Sequence, residues 1–246
     1  MLFSPNNLFL RRLPGRLKYV FLRFGLHNLL GWIFFPMFWL SRMTQLGAWV
    51  ARHRQVPFND FPSAVFNYQK RYELYKFVLE REKLDGPISY LEFGVAAGDS
   101  FRWWAAQNQH PDSRFHGFDT FTGLPEDWGL FKKGDMSTGK QIPEMNDARC
   151  QFYAGLFQQT LPSFLRSTPL THRRVIHLDA DLFTATLYVL TSLHPYLQSG
   201  DILLFDEFNV PTHEFSAFTD YCRSFYVQTE VLAAVNNYYQ VAFRVL

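Results

Sequence analysis

The chain has 246 residues, 48% of them hydrophobic, and its 24 Lys and Arg against 22 Asp and Glu leave a formal charge of +2. That length suits one α/β domain with additional elements and a sizeable core. Two cysteines, Cys150 and Cys222, stand in no Cys-x-x-Cys or Cys/His cluster, so neither a disulfide framework nor a zinc site of that kind is implied, and a reducing compartment such as the cytoplasm is compatible.

The charge is unevenly placed. No acidic residue precedes Asp60, whereas Arg11, Arg12, Arg16, Lys18, Arg23, Arg42, Arg52 and Arg54 make the first 59 residues +8. The remainder is −6, with sixteen Lys and Arg against the twenty-two Asp and Glu. A basic, acid-free segment points to an anionic partner such as a membrane surface or nucleic acid. Residues 29–40 form a twelve-residue apolar run containing Trp32, Phe34, Phe35, Phe38 and Trp39. It is too short to span a bilayer as a helix, and Pro36 is expected to interrupt it. Basic residues beside Trp and Phe suit a helix lying in the membrane interface; the alternative is that these aromatics cover the rest of the protein or a homo-oligomer contact. The reading is a helical N-terminal extension, 1–59, with peripheral membrane contact through residues 1–55 on the inner face of a membrane. The charged stretch is too long for an ordinary signal peptide, and no small-residue cleavage site follows.

Residues 56–62 read as a proline-bounded connector and residues 63–83 as a helix, ended by Gly86-Pro87. Residues 88–93 have the character of a buried strand. Gly94 and Gly98 follow, and a helix opens at Asp99 or Ser100. Strand, glycine turn and helix bring backbone close to a nucleotide-like ligand, although the same pattern serves many plain βα turns. A second strand, 114–119, ends in Asp119, placed either to accept from ribose hydroxyls or to start a turn. Residues 126–145 are polar, with several Gly and Pro, and read as a mobile loop or lid.

A third strand spans 149–154, and a helix lies around Ser163 after Gly155. The fourth strand, 174–178, runs directly into Asp179-Ala180-Asp181, and a helical pattern covers 182–197. The fifth strand, 200–205, runs into Asp206-Glu207. In a parallel sheet both acidic pairs lie at the carboxyl edge, where ligands bind. Clustered carboxylates repel unless neutralised; a hard divalent cation would do so, while helix capping and solvation form the alternative. A helix over 213–225 and strands over 227–234 and 238–245, joined by Asn236-Asn237, close the chain.

Glu92-x-Gly94-Val95-x-x-Gly98-x-Ser100 resembles the first motif of class I S-adenosylmethionine-dependent methyltransferases. More specifically, the chain resembles the macrocin O-methyltransferase family, whose relatives act on sugar hydroxyls. Four ordered segments carry this: Gly117-Phe118-Asp119-Thr120-Phe121-Thr122-Gly123-Leu124-Pro125-Glu126, Gly155-Leu156-Phe157-Gln158-Gln159-Thr160-Leu161-Pro162, Leu178-Asp179-Ala180-Asp181-Leu182-Phe183, and 200–208. The resemblance covers roughly residues 60–246.

It implies an α/β, Rossmann-like class I methyltransferase fold over 60–246, a mostly parallel seven-stranded sheet with a C-terminal antiparallel hairpin. It implies S-adenosyl-L-methionine held by Glu92, Gly94, Gly98, Ser100, Asp119 and Gly155. It also implies Mg²⁺, or another divalent cation, on Asp179, Asp206 and Glu207. The family's second consecutive acid is Asp, so Glu207 is a departure.

The expected reaction is O-methylation of a sugar or glycan-like small molecule. Transfer from a sulfonium needs the acceptor oxygen held in line and deprotonated, and a bound cation lowers a hydroxyl's pKa. Asp179 is the candidate base; His177, inside a strand and more suited to a structural role, and His213 are alternatives. Two rival readings are a metal-dependent glycosyltransferase, from the Asp-x-Asp pattern, and a non-catalytic membrane-tethered cofactor-binding protein. No Asn/Asp-Pro-Pro-Tyr motif is present, and no nucleic-acid partner is expected.

Overall fold

The computed structural model describes residues 8–246; the first seven residues of the expected extension lie outside the described residues. The chain divides into two compact units between Gln45 and Leu46. In the first, α1 (Leu8–Arg23) is followed by a turn at Gly25, which takes φ +59°, and by α2 (His27–Arg52). Pro36 does not interrupt the helix as expected but lies inside α2. A proline removes one intrahelical bond and bends the axis, and the turns on either side carry the helix onward. Among the described residues no helix is long and apolar enough to cross a membrane.

The second unit is a three-layer sandwich. Its strands are β1 (Phe58–Asn59), β2 (Ile88–Phe93), β3 (Arg114–Asp119), β4 (Cys150–Ala154), β5 (Arg173–Leu178), β6 (Ile202–Phe205), β7 (Thr229–Val235) and β8 (Gln240–Val245). They lie side by side in the order β1-β7-β8-β6-β5-β2-β3-β4, with β8 antiparallel to both neighbours and the other pairings parallel. The described sheet thus has eight strands where seven were expected. The additional one, β1, is a two-residue edge strand pairing Phe58 with Ala233 and Asn59 with Ala234. Two residues beside Pro57 carry no alternation to read, and a sheet edge tolerates the missing donor of a nearby proline.

Alternation along the strands sends side chains to two cores. On one face Tyr90, Phe115, Val175 and Leu204 pack with α3 (Lys70–Arg81) and α4 (Asp99–Gln107) through Leu74, Tyr75, Phe101 and Trp104. On the other, Leu91, Phe118, Ile176 and Phe243 pack with α5 (Phe157–Ser167), α6 (Phe183–Leu193) and α7 (Glu214–Phe225). Leu46 and Trp49, from the end of α2, belong to this second core, with the Trp49 ring 4.9 Å from Phe208. Burying each such side chain stabilises the fold by about 1.5–3 kcal/mol.

Residues 63–69 are turns where a helix was expected, and α3 begins only at Lys70. Asn237 Oδ1 accepts from Ser63 N (2.8 Å), Asn236 Oδ1 accepts from Asn67 N (3.0 Å), and Asn237 Nδ2 donates to Ser63 O (2.9 Å). The β7–β8 turn therefore supplies hydrogen bonds that a helical turn would otherwise make. That turn places Asn236, Asn237 and Tyr238 at φ of 52°, 57° and 64°, a conformation for which Asn is well suited.

Candidate active site

The parallel strands β2, β3, β5 and β6 deliver Gly94, Asp119, Asp179 and Asp206 to one edge of the sheet. A cavity of about 630 Å³ opens there, lined at one end by Gly94, Ala96 and Asp119 and at the other by Asp179, Asp181, Glu207, Tyr68 and Tyr239.

Gly94 takes φ +95°, its N–H donates to Phe118 O (2.9 Å), and a Cβ there would sit 1.7 Å from Asp179 O. Glycine is required by both the dihedral angle and the approach of the β5 backbone. Gly98, with φ +83°, caps α4 and meets Pro143. Asp119 organises the turn between them: Oδ2 accepts from Val95 N (2.7 Å) and Ala96 N (2.8 Å), and Oδ1 from Phe121 N (2.7 Å). Of the expected cofactor residues, Gly94 and Asp119 line the cavity. Glu92, Gly98, Ser100 and Gly155 are not among its lining residues; Glu92 and Ser100 are buried, and Gly155 N donates to Asp119 O (2.9 Å). Ala96, Thr120, Leu156, Phe157 and Gln158 also form the wall; all lie inside the segments that carry the resemblance, although none was singled out as a cofactor residue.

The expected loop at 126–145 is closed by turns. Leu124 N donates to Asp135 O (2.9 Å), Gly134 N to Leu124 O (2.9 Å) and Lys140 N to Phe121 O (2.9 Å). Trp128 and Phe131 stack at 5.2 Å, and both face the cavity with Met136. Glu126 Oε1 accepts from Thr184 Oγ1 (2.7 Å), tying this segment to the start of α6.

At the acidic end, Asp179 belongs to two sets of ligand-type side chains: with His177 and Asp206, and with Asp181 and Glu207. Within each set the atoms all lie within 4.8 Å of one another. Asp181 thus joins the expected trio; its φ of +59° turns the chain after β5. Glu207 Oε1 accepts from Tyr239 OH (3.3 Å), while Glu207 Oε2 is buried without a hydrogen-bond partner. Glu214, at the start of α7, was not foreseen. Its Oε2 accepts from Glu207 N (3.0 Å), and its Oε1, like Glu207 Oε2, is buried without a hydrogen-bond partner. A Glu in the first turn after the second acidic pair was the available signal.

Burial, with Asp206 as the nearest repelling charge, pushes the Asp179 carboxyl well above its usual range. Burial does the same to Glu207, with Asp179 the leading repelling charge, and to Glu214, with Asp181 leading. Asp181 is raised to about 7 by burial and by the charge of Asp206. A set of carboxylates that resist ionisation, together with a buried unpaired carboxylate oxygen, fits an oxygen-ligated divalent cation.

The sign of these shifts has a measurable result. A carboxyl raised in the folded state contributes stability that is full below about pH 4 and is lost as pH rises through the folded value, about 7 for Asp181. The metal-free protein should therefore lose up to a few kcal/mol between pH 5 and 8, and Mg²⁺ should restore more at pH 8 than at pH 6. Thermal unfolding in EDTA and in Mg²⁺ across that range checks this.

His177 lies in β5, fully buried, with Nδ1 2.9 Å from Tyr90 OH and Nε2 3.1 Å from Tyr75 OH. Tyr90 OH donates to Glu92 Oε2 and Tyr75 OH to Asp206 Oδ1 (3.4 Å), so the imidazole sits between the two ends of the site. Tyr68 OH also donates to Asp206, and the Arg71 guanidinium lies 3.5 Å away. His213 Nδ1 faces Phe183 N at 3.4 Å, and burial lowers its pKa.

Residues 91–208 match the family model described as a methyltransferase domain. A search of curated proteins gave no significant match. Among solved structures, CalS11, a calicheamicin methyltransferase, aligns with TM-score 0.58 at 20% identity, over 83% of this chain and 91% of its own. Apo CalS11, a TDP-rhamnose 3'-O-methyltransferase, gives 0.53 at 22% identity, over 83% and 93%. The O-methyltransferase NovP gives 0.53 at 17% identity, over 85% and 98%. At these identities the structures speak for the fold alone. With the glycine turn, Asp119 and the matched segment on one sheet edge, residues 91–208 match a methyltransferase domain, and the chain resembles the class I S-adenosylmethionine-dependent methyltransferases, the macrocin O-methyltransferase family among them.

Proposed function

We propose that the protein is a metal-assisted O-methyltransferase that moves a methyl group from S-adenosylmethionine to a hydroxyl of a sugar or glycan-like small molecule. The observation that carries this is the placement of Asp179. Its backbone carbonyl packs on Gly94 in the glycine turn, and its side chain is shared by both sets of metal-ligating groups. One residue thus joins the cofactor end of the cavity to its acidic end. The names of the structural neighbours, a TDP-rhamnose 3'-O-methyltransferase and an O-methyltransferase, support a hydroxyl acceptor.

In this reading Gly94, Gly98, Ser100 and Gly155 shape the cofactor cradle, and Glu92 holds it from below through Tyr90. Asp119 fixes the turn with two backbone N–H groups on one oxygen and retains acceptor capacity for ribose hydroxyls. Asp179, Asp206 and Glu207 hold the cation, with Asp181 beside them. When bound, a divalent cation orients an acceptor hydroxyl and lowers its pKa. Asp179 takes the hydroxyl proton as the acceptor oxygen attacks the methyl carbon and the methyl–sulfur bond breaks, leaving S-adenosylhomocysteine. His177, held by two tyrosines, positions Asp206 through Tyr75 instead of acting as the base. Trp128, Phe131 and Met136 keep water from the cavity. The transferase chemistry resides in residues 60–246, with residues 1–59 as an extension outside it. Cys150 and Cys222 are both free thiols, which suits a cytoplasmic setting.

The test is incubation with methyl-labelled cofactor, Mg²⁺ and a panel of nucleotide sugars and small glycans. Label should appear as an alkali-stable methyl ether, and excess EDTA should abolish it. Full transfer in EDTA, or label on nitrogen or sulfur, would contradict the reading.

A further inference from the structure

The first compact unit, described here up to Gln45, exposes far more apolar surface than a water-facing helix normally presents. Trp32 and Phe35 are each 75% exposed, and Leu29, Ile33, Phe34 and Phe38 are exposed as well. Four consecutive residues, 32–35, point at 100° intervals around α2. The apolar surface therefore encircles the helix instead of forming a stripe, and a helix apolar all round belongs in an apolar medium. From Phe24 to Ser41 there is no charged residue. The helical part of that stretch, 27–41, is about 22 Å long, short of the roughly 30 Å of a bilayer's hydrocarbon core.

Cations flank it. Arg16, Lys18 and Arg23 on α1 are exposed, Arg42 follows the apolar stretch, and no acid occurs before Asp60. The charge decides between occupants. A second copy of residues 14–43 would bring another acid-free +4, from Arg16, Lys18, Arg23 and Arg42, to the contact, and like charges oppose such a pairing. An anionic lipid surface supplies what the segment lacks, an apolar interior beside a negative rim.

We infer that residues 14–43 dock the protein on an anionic membrane, with the uncharged part of α2 immersed in one leaflet and the cations of α1 against lipid phosphates. The segment inserts without spanning. This inference is independent of the transferase chemistry.

The experiment is flotation of the full chain with vesicles of phosphatidylcholine alone and of equal parts phosphatidylcholine and phosphatidylglycerol. The protein should float with the mixed vesicles, less so at high salt. The variant combining Trp32→Ser and Phe35→Ser should partition at least about tenfold less. The variant combining Arg16→Gln, Lys18→Gln and Arg23→Gln should lose about a hundredfold on mixed vesicles and no longer distinguish the two compositions. Because these side chains are exposed, the unfolding midpoint of both variants should match the parent chain. The inference is overturned if the parent chain stays in the aqueous fraction with both vesicles, or if both variants float like the parent. It is also overturned if the chain sediments as a dimer that Trp32→Ser with Phe35→Ser dissociates while flotation is unchanged.

Discussion

Gly94→Ala should abolish cofactor binding and lower the unfolding midpoint by about 10 °C or more. The new methyl would lie 1.7 Å from Asp179 O at a residue held at φ +95°. Backbone is the obstacle, and neither β2 nor β5 can yield without breaking the pairing of Phe93 with Leu178. Strain at a left-handed dihedral angle and overpacking each cost about 1–3 kcal/mol. The same shift moves the turn that Asp119 holds and the carbonyl next to the acidic cluster, so affinity for S-adenosylhomocysteine should fall at least about a hundredfold. Gly86→Ala is the control, since nothing lies within 4 Å of its Cβ position, and it should leave both quantities unchanged. Calorimetric titration and thermal unfolding of the two variants decide the matter; intact binding in Gly94→Ala would remove this turn from the cofactor site.

Asp179→Asn should reduce turnover by about a thousandfold while leaving S-adenosylhomocysteine affinity within about threefold. The amide keeps the size of the side chain and the backbone carbonyl that meets Gly94, but it removes the carboxylate common to both sets of ligand-type groups. It also removes one of the mutually repelling carboxyls, so the metal-free variant should be no less stable than the parent chain. Loss of activity without loss of stability separates a role in chemistry from a role in folding. Turnover at the parent rate would rule out Asp179 as both ligand and base.

Residues 60–246 were largely legible because the central strands are short, mostly buried segments ending in abrupt turn or acidic residues. β2, β3, β5 and β6 all finish within a residue or two of a glycine or carboxylate that the cavity uses. What escaped depends on distant chain. The apolar stripe through Phe66 and Tyr72 resembled one long helix, but Asn236 and Asn237, some 170 residues away, draw residues 63–67 into turns. β1 exists only because β7 is there to pair with it. In the site, spacing brought carboxylates to the strand ends but could not say which would meet. Asp181 approaches Glu207 because its backbone turns through a positive φ. Glu214 matters because α7 directs it against the backbone of the second acidic pair. The hydrogen-bonded series Glu92, Tyr90, His177, Tyr75 and Asp206 crosses three strands and a helix, a relation with no sequence period.

In the proposed reaction one cation site, built on Asp179, adjoins the methyl-donor cavity. Calorimetric titration of Mg²⁺, with Mn²⁺ as a second probe, into the full chain saturated with S-adenosylhomocysteine measures it. A single site should be found in the parent chain and should disappear in Asp179→Asn while S-adenosylhomocysteine remains bound. Absence of cation binding to the parent chain, or an unchanged site in Asp179→Asn, would contradict it.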